Sequence, residues 1–289
     1  MKYQEISNCF TYKYAYCQTE KDNLILHKVE EHLAEVIDNG YFDLKSIFFI
    51  ALEGSQNYEL DLPNSDIDTK LIVLPNFEDF VLNNKPVSTT HIRKNGEHIS
   101  FTDVRNYFSS LRKQNINFVE TLFSPWIIVN KIYEEEFKAL YKNRELIARY
   151  NPVKAVKTIG GIATDRYKAI YNLNSKRVDV IKQYGYDGKA ISHLCRLTQF
   201  LYDYTSECKY RVCMVPLYKQ LILDLKQNKI NPARAKNIAE AEYETIQRIV
   251  DNYTKQHEET INEEAENLLT YLQFSLVQAS FLADCAAQG

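Results

Sequence analysis

Gly54-Ser55, ten residues, then Asp66-Ile67-Asp68: the stretch ALEGSQNYELDLPNSDIDTKLIVL, residues 51–74, is where this chain gathers its chemistry. An apolar run, Ile47 to Leu52, leads into the Gly-Ser pair, and a second apolar run follows the two acids. On a strand, residues i and i+2 point the same way. Asp66 and Asp68, at the mouth of a strand over Thr69 to Leu74, therefore share a face while Ile67 turns to the core. Two carboxylates this close repel and raise each other's pKa unless a cation sits between them. Exposed in a cleft, they offer the hard oxygen donors that Mg²⁺ takes, with waters and substrate phosphates completing its shell. Gly54 lets backbone approach a phosphate closely. Amides that follow it at a helix start can donate to phosphate oxygens, and Ser55 adds a hydroxyl. Together these are the parts that bind a magnesium-nucleoside triphosphate and orient its α-phosphate for in-line attack. Taken singly, a D-x-D is most often a solvated turn and a Gly-Ser pair ordinary loop chemistry. The combination of strand, Gly-Ser, ten residues, Asp-x-Asp and strand is a narrow pattern.

The elements that must position these residues are legible around them. Leu24, Leu26, Val29, Leu33, Val36 and Ile37 recur at helical spacing and predict an amphipathic helix over residues 20–38. Ser46 to Leu52 and Thr69 to Leu74 read as buried strands. Glu97 to Val104 alternates and reads as a third strand, and Trp126 to Val129 as a short further one. PNFEDFVLN, from Pro75, begins a short helix or loop, and VRNYFSSLRKQ takes up helical spacing. Beyond Asn151-Pro152 strand signals stop. Helical runs follow, punctuated by Pro152, Asp187-Gly188, Pro216 and Asn231-Pro232. The expected fold class is α+β: a mixed sheet with helices over residues 1–150, then an all-helical domain over residues 151–289.

Composition narrows the function. With 289 residues and a formal net charge of −3, the chain is not one that coats nucleic acid by bulk charge, though a local basic groove is compatible with it. No segment approaches ~18 consecutive apolar residues, and the first residues lack a signal-type apolar core, so no membrane is expected and the expected compartment is the cytoplasm. The six cysteines form no C-x-x-C and, with six histidines, make no zinc-ligand spacing; they read as reduced, apolar thiols. The chain has neither a G-x-G-x-x-G nor a P-loop pattern. The charge-rich run KQHEETINEEAEN, residues 255–267, reads as a solvated helix face.

GSQNYELDLPNSDID resembles the G-S-x10-D-x-D signature of the DNA polymerase β nucleotidyltransferase superfamily. More closely, the chain is similar to predicted bacterial and phage nucleotidyltransferases described as RNA-ligase-associated or YcgL-like. DVRNY, NINFVETLFSP and YGYDGKAISHLCRL carry that further likeness, which spans about residues 45–225. The resemblance implies a nucleotidyltransferase-type core followed by a helical half. It leaves the acceptor open.

Active members of that superfamily usually carry a third carboxylate on a strand after the D-x-D strand, where it helps hold the metal and can act as base. Here that strand is EHISFTD. With Ile99 and Phe101 facing the core, His98, Ser100 and Thr102 face the cleft, and none is a carboxylate. Glu97, at the strand's start, reaches the cleft only through a twist or bulge. Asp103, at its end, is otherwise an N-cap. His98 is a further substitute, as base or metal ligand. Glu97 is the favoured third catalytic residue with Asp66 and Asp68.

Lys189, His193 and Arg196 fall at i, i+4 and i+7 on one helical face, just after Gly188. Periodicity alone favours a solvated polar face. The resemblance favours a grip on the nucleotide's phosphates, with His193 also readable as a packed or capping residue. Lys70 shares the face of Asp66 and Asp68 and either neutralises them, reaches a phosphate or sits at the cleft edge. Arg105 binds phosphate or pairs with Asp103 or Glu120, and Glu120 reads most simply as the buried partner of Arg105. Tyr58 covers a base or the cleft floor. The expected function is transfer of a nucleoside monophosphate from a triphosphate such as ATP to an RNA end, protein or small molecule, with Mg²⁺ or Mn²⁺ and release of pyrophosphate. Gly54, Ser55, Lys189, His193 and Arg196 hold the nucleotide, and Asp66 and Asp68 hold the metal. The competing expectation is a catalytically weak or silent module that senses nucleotide or binds a partner.

Overall fold

The computed structural model describes Ile6 and residues 8–286, with side chains as far as residue 282. Its fold is α+β. Strands β1 (Phe10–Thr11), β2 (Ile47–Glu53), β3 (Asp68–Val73), β4 (Ser88–Ile92), β5 (His98–Asp103) and β6 (Ile127–Asn130) form one sheet in the order β1-β6-β2-β3-β5-β4. All neighbours run antiparallel except β3 and β5, which are parallel.

Side-chain parity divides this sheet into two faces. Ile50 and Leu52 of β2, Leu71 and Val73 of β3, and Ile99 and Phe101 of β5 pack toward helix α1 (Glu20–Asp38), which contributes Ile25, Val29, Leu33 and Val36. That helix starts where Thr19 and Asp22 form a reciprocal capping box. The opposite parity, including Phe49, Ala51 and Ile72, joins a larger apolar cluster with the helices. At the near end of that second face the parity continues into polar residues. Glu53 stands directly opposite Asp68 across β2 and β3, and Lys70 lies beside Ser100 across β3 and β5. The sheet thus carries a polar corner on its helix-covered face.

Helices α2 (Phe77–Val81), α3 (Val104–Arg112), α4 (Ile116–Val119), α5 (Glu134–Lys142) and α6 (Arg144–Ala148) belong to the first half of the chain. The second half is helical: α7 (Pro152–Ala169), α8 (Val178–Tyr184), α9 (Gly188–Thr205), α10 (Tyr210–Met214), α11 (Lys219–Lys226), α12 (Pro232–Gln256) and α13 (Glu263–Ala286). Helix α9 is the hub, packed against α7, α10, α11 and α12. Gly188 lets it close on α11: a Cβ there would lie 1.9 Å from the Leu225 carbonyl oxygen.

The two halves share one continuous apolar cluster, from Phe48 in β2 to Leu276 in α13. The last helix also returns to the first half. Arg112 pairs with Glu266 at 3.0 Å, Ser275 donates to Glu136, and the Phe77 and Phe80 rings meet Phe281 edge-on. Among the described residues no helix is long and apolar enough to cross a membrane. Cys9, Cys17, Cys195, Cys208 and Cys213 are free thiols, while the Cys285 side chain lies outside the described residues.

Candidate functional site

Between the polar corner of the sheet and helices α7, α9 and α11 lies a cleft of about 690 Å³. The sheet side contributes Glu53, Gly54, Ser55, Asp66, Asp68, His98 and Ser100. The helical side contributes Arg166 of α7, Lys189, His193 and Arg196 of α9, and Lys226 of α11. An acidic wall therefore faces a cationic one. Gly54, Ser55, Asp66, Asp68, Lys189, His193 and Arg196, singled out from the sequence, all line this one space.

Gly54 has φ +107°, a conformation that a side chain disfavours. It turns the chain from β2 into a 3₁₀ turn, Ser55–Tyr58. The turn is tied to the acids: Gln56 donates to the Asp66 carbonyl at 2.9 Å, and Asn57 donates to the Leu52 carbonyl at 2.9 Å. Strand β3 begins only at Asp68. Asp66 therefore precedes the strand and is exposed, so the i, i+2 argument does not place it, although it opens on the same cleft. Asp68 is partly exposed, and its Oδ1 accepts the His98 backbone N–H at 2.8 Å.

Glu97 does not join them. No bulge interrupts the β3–β5 register, so Glu97 keeps the parity of Ile99 and Phe101 and turns toward α1. There it accepts from Arg93 at 2.6 Å and Asn95 at 2.7 Å, and lies 3.1 Å from His32 Nε2. His32 is itself fully buried, with Nδ1 2.9 Å from the Thr69 hydroxyl. Burial pushes the Glu97 carboxyl up, but hydrogen bonds from Asn95, His32 and Arg93 more than offset that and hold it below its ordinary value. The expectation that Glu97 supplies a third cleft carboxylate is corrected: it anchors α1 to the sheet. Asp103 is equally committed, capping α3 and pairing with Arg105 at 2.7 Å. The positions of β5 that open on the cleft are His98 and Ser100.

Two further carboxylates line the cleft without having been assigned to it. Glu53 pairs with Lys70 at 2.5 Å, and the Lys70 ammonium sits over the Phe118 ring. Lys70 therefore neutralises Glu53. Glu120, read as the partner of Arg105, instead accepts the Tyr58 hydroxyl at 2.5 Å. The Tyr58 ring is buried and covered by the Arg196 guanidinium 3.8 Å away. Burial raises the Glu120 carboxyl above its ordinary value against the pull of Arg196 and the Tyr58 hydroxyl. These contacts join residues 62 and 138 positions apart in sequence, so no local period announces them.

The cationic wall has its own electrostatics. Burial, together with the neighbouring charges of Arg196, Arg166, Lys189 and Lys226, holds the His193 imidazole well below its ordinary value. It is neutral beside four cations. Burial and the proximity of Lys189 lower Lys226, and its ammonium donates to the Leu60 carbonyl at 3.0 Å. Arg166 and Lys226 were not identified from the sequence. Both lie on separate helices whose approach to the cleft is set by packing on α9.

Among the described residues, no three His, Cys, Asp or Glu side chains gather closely enough to hold a metal by themselves. Asp66 and Asp68 alone are a donor set of the kind Mg²⁺ accepts, since it keeps waters and takes phosphate oxygens alongside one or two carboxylates.

No model of a known protein family matches the chain, and no curated protein matches it. Among solved structures, a nucleotidyltransferase-like protein from Exiguobacterium sibiricum 255-15 is similar. It is 10% identical in sequence, the match covering 88% of this chain and 89% of that one, with a TM-score of 0.29. A likeness that loose transfers neither fold nor function to this chain.

Proposed function

We propose that the chain binds a magnesium-nucleoside triphosphate in this cleft and transfers the nucleoside monophosphate to a hydroxyl or phosphate acceptor, releasing pyrophosphate. The observation that carries the reading is the facing of an acidic corner, Asp66 and Asp68, by a cationic wall, Arg166, Lys189, Arg196 and Lys226, across one cleft with Gly54-Ser55 at its edge. A bare polyphosphate would be repelled by the acids. A ligand that is anionic along one side and metal-bearing on the other satisfies both walls.

Asp66 and Asp68 would hold Mg²⁺, or Mn²⁺ in its place. When bound, the ion offsets charge on the phosphate oxygens and polarises the phosphorus under attack. The residues of the chain do the rest. Gly54 and the amides after it cradle the triphosphate, and Ser55 adds its hydroxyl. Lys189, Arg196, Arg166 and Lys226 neutralise the charge that builds on departing pyrophosphate. His193, uncharged among these cations, can donate or accept a hydrogen bond without adding charge. His98 is the titratable side chain that β5 presents to the cleft, and it stands 3.8 Å from Asp68 through Nδ1. In this division of labour the first half of the chain holds the metal and one side of the triphosphate, and the helical half supplies the cations.

One observation favours a second reading, a module that binds nucleotide without turnover. The β5 positions that project into the cleft are His98 and Ser100, and Glu97 is turned away. Pyrophosphate release separates the two. Each nucleoside triphosphate with Mg²⁺ is offered RNA ends, protein hydroxyls and small polyols or aminoglycosides. Transfer predicts pyrophosphate with one acceptor class and none from a folded Asp66→Asn/Asp68→Asn variant. Turnover retained by that variant refutes the assignment. Nucleotide binding with no pyrophosphate under any pairing selects the second reading.

A further inference from the structure

The Gly54–Tyr58 turn and the two residues after it are gripped from the helical half at four consecutive positions, Asn57 to Leu60. Arg211 of α10 donates to the Asn57 carbonyl. Lys219 of α11 pairs with Glu59. Lys226 donates to the Leu60 carbonyl at 3.0 Å. Arg196 of α9 stacks on the Tyr58 ring at 3.8 Å while the Tyr58 hydroxyl is held by Glu120 at 2.5 Å. Tyr58, Glu120 and Arg196 are each more than nine-tenths buried. Arg196 Nη1 is buried with no hydrogen-bond partner. The turn also needs external hold at its exit, where Glu59 takes φ +57°, a left-handed conformation uncommon for a glutamate.

From these contacts we infer that the helical half is a clamp that sets the phosphate-accepting shape of the Gly54–Tyr58 turn. Tyr58 is the gripped residue, held between Arg196 of the helical half and Glu120 of the first half, and Arg211 is a positioning residue that never meets the ligand. The inference rests on the proposed nucleotide reading and deepens it. The clamp ties the turn that would receive the phosphates to the helix that would neutralise them. Their spacing is then fixed before ligand arrives, and preorganisation of this kind appears as affinity. Arg211 does not line the cleft. Any effect of its loss on nucleotide binding must therefore travel through the Asn57 carbonyl and the turn.

Titration calorimetry on the full chain with Mg²⁺ and each nucleoside triphosphate, and in parallel the matching monophosphate, tests this. The variants are Tyr58→Phe, which keeps the ring under Arg196 and removes only the hydroxyl, Glu120→Gln and Arg211→Met. Gly160→Ala, whose new methyl would meet Val250 at 2.9 Å between α7 and α12, serves as a destabilised control. The clamp predicts that Tyr58→Phe and Arg211→Met weaken triphosphate binding about tenfold, or ~1.4 kcal/mol. Monophosphate binding and the Gly160→Ala control stay at the wild-type level. Unchanged triphosphate affinity in folded Tyr58→Phe, Glu120→Gln and Arg211→Met overturns the clamp while leaving the nucleotide site standing. So does an equal loss for triphosphate and monophosphate. Absence of triphosphate binding by the wild type removes the nucleotide reading and the clamp with it. If Tyr58→Phe does not fold, Arg211→Met, on a half-exposed side chain, decides the same question.

Discussion

Replacing Gly188 by alanine should destabilise this protein, although helix propensity alone says the opposite. Gly188 is the first residue of α9, and alanine is favoured over glycine in helices by about 0.5–1 kcal/mol. Packing decides against it. The alanine Cβ would lie 1.9 Å from the Leu225 carbonyl oxygen and 2.7 Å from Asn228 Oδ1. The first contact is with backbone, so no rotamer change relieves it. Helix α11 must move away from α9 by an ångström or more. Overpacking of this kind costs about 1–3 kcal/mol. The same movement strains the hydrogen bond from the Gly188 N–H to Asn228 Oδ1, 3.0 Å long, worth about 0.5–1.5 kcal/mol. Subtracting the propensity gain leaves a net loss of about 0.5–4 kcal/mol, centred on ~2 kcal/mol, which is roughly 3–4 °C in Tm for a chain of this size. Gly161 is the internal control: it is exposed in α7 and a Cβ there meets nothing within 4 Å. Gly161→Ala should stabilise by about 0.5–1 kcal/mol. Urea unfolding followed by far-UV circular dichroism reads both. A Gly188→Ala variant as stable as the wild type, or more so, would refute the packing argument.

Three other outcomes follow from the geometry. Glu97→Gln leaves Arg93 and His32 facing a neutral amide in a nearly buried site and should cost about 2–3 kcal/mol. It should leave nucleotide affinity intact, and a selective loss of binding in a stable variant would return Glu97 to the cleft. His32 and His193 are both held below their ordinary value of 6.5 by burial, so unfolding takes up protons as the pH falls below that value. Stability should therefore fall as pH drops through about 6.5, and His193→Gln should flatten part of that slope. A urea midpoint that holds constant or rises between pH ~7.5 and ~5.5 contradicts this. Below the ordinary glutamate value of 4.5, protonation of Glu35, Glu97 and Glu266, all held low in the fold, should bring a second loss. The variant Glu266→Gln, which loosens Arg112 and Tyr150 from α13, should move that acid transition to higher pH.

Much of the fold follows from periodicity. The amphipathic run over residues 20–38 forms a helix with those bounds, and four strands lie within a residue or so of their expected spans. Strand β4, STTHI, carries a single large apolar residue, and that residue, Ile92, is exposed. An edge strand with no buried face leaves no alternation to read. The lining of the cleft was legible where residue types cluster locally: Gly54-Ser55, Asp66 and Asp68, and the i, i+4, i+7 stripe on α9 all open on it. It was not legible where partners come from distant sequence. Arg105 was matched with Asp103 or Glu120 by charge; the fold gives it to Asp103, two residues away, and gives Glu120 instead to Tyr58. Parity argued that Glu97 faces the core, and only an inserted bulge could have turned it. The ladder runs straight, so parity holds. The division at residue 150 follows the change from mixed to helical sequence, but α13 packs back on the first half through Glu266, Ser275 and Phe281, contacts no periodicity reveals.

The central claim is that the acidic corner and the cationic wall are two sides of one metal-nucleotide site. The most direct measurement is the thermal shift produced by each nucleoside triphosphate with and without Mg²⁺, in the wild type and in Asp66→Asn/Asp68→Asn. The account predicts a Mg²⁺-dependent rise in Tm for the wild type, growing with ligand concentration as binding to the folded state requires, and none for the double variant. A shift that is the same without metal, or that survives loss of both aspartates, would contradict it, as would the absence of any shift with all four triphosphates.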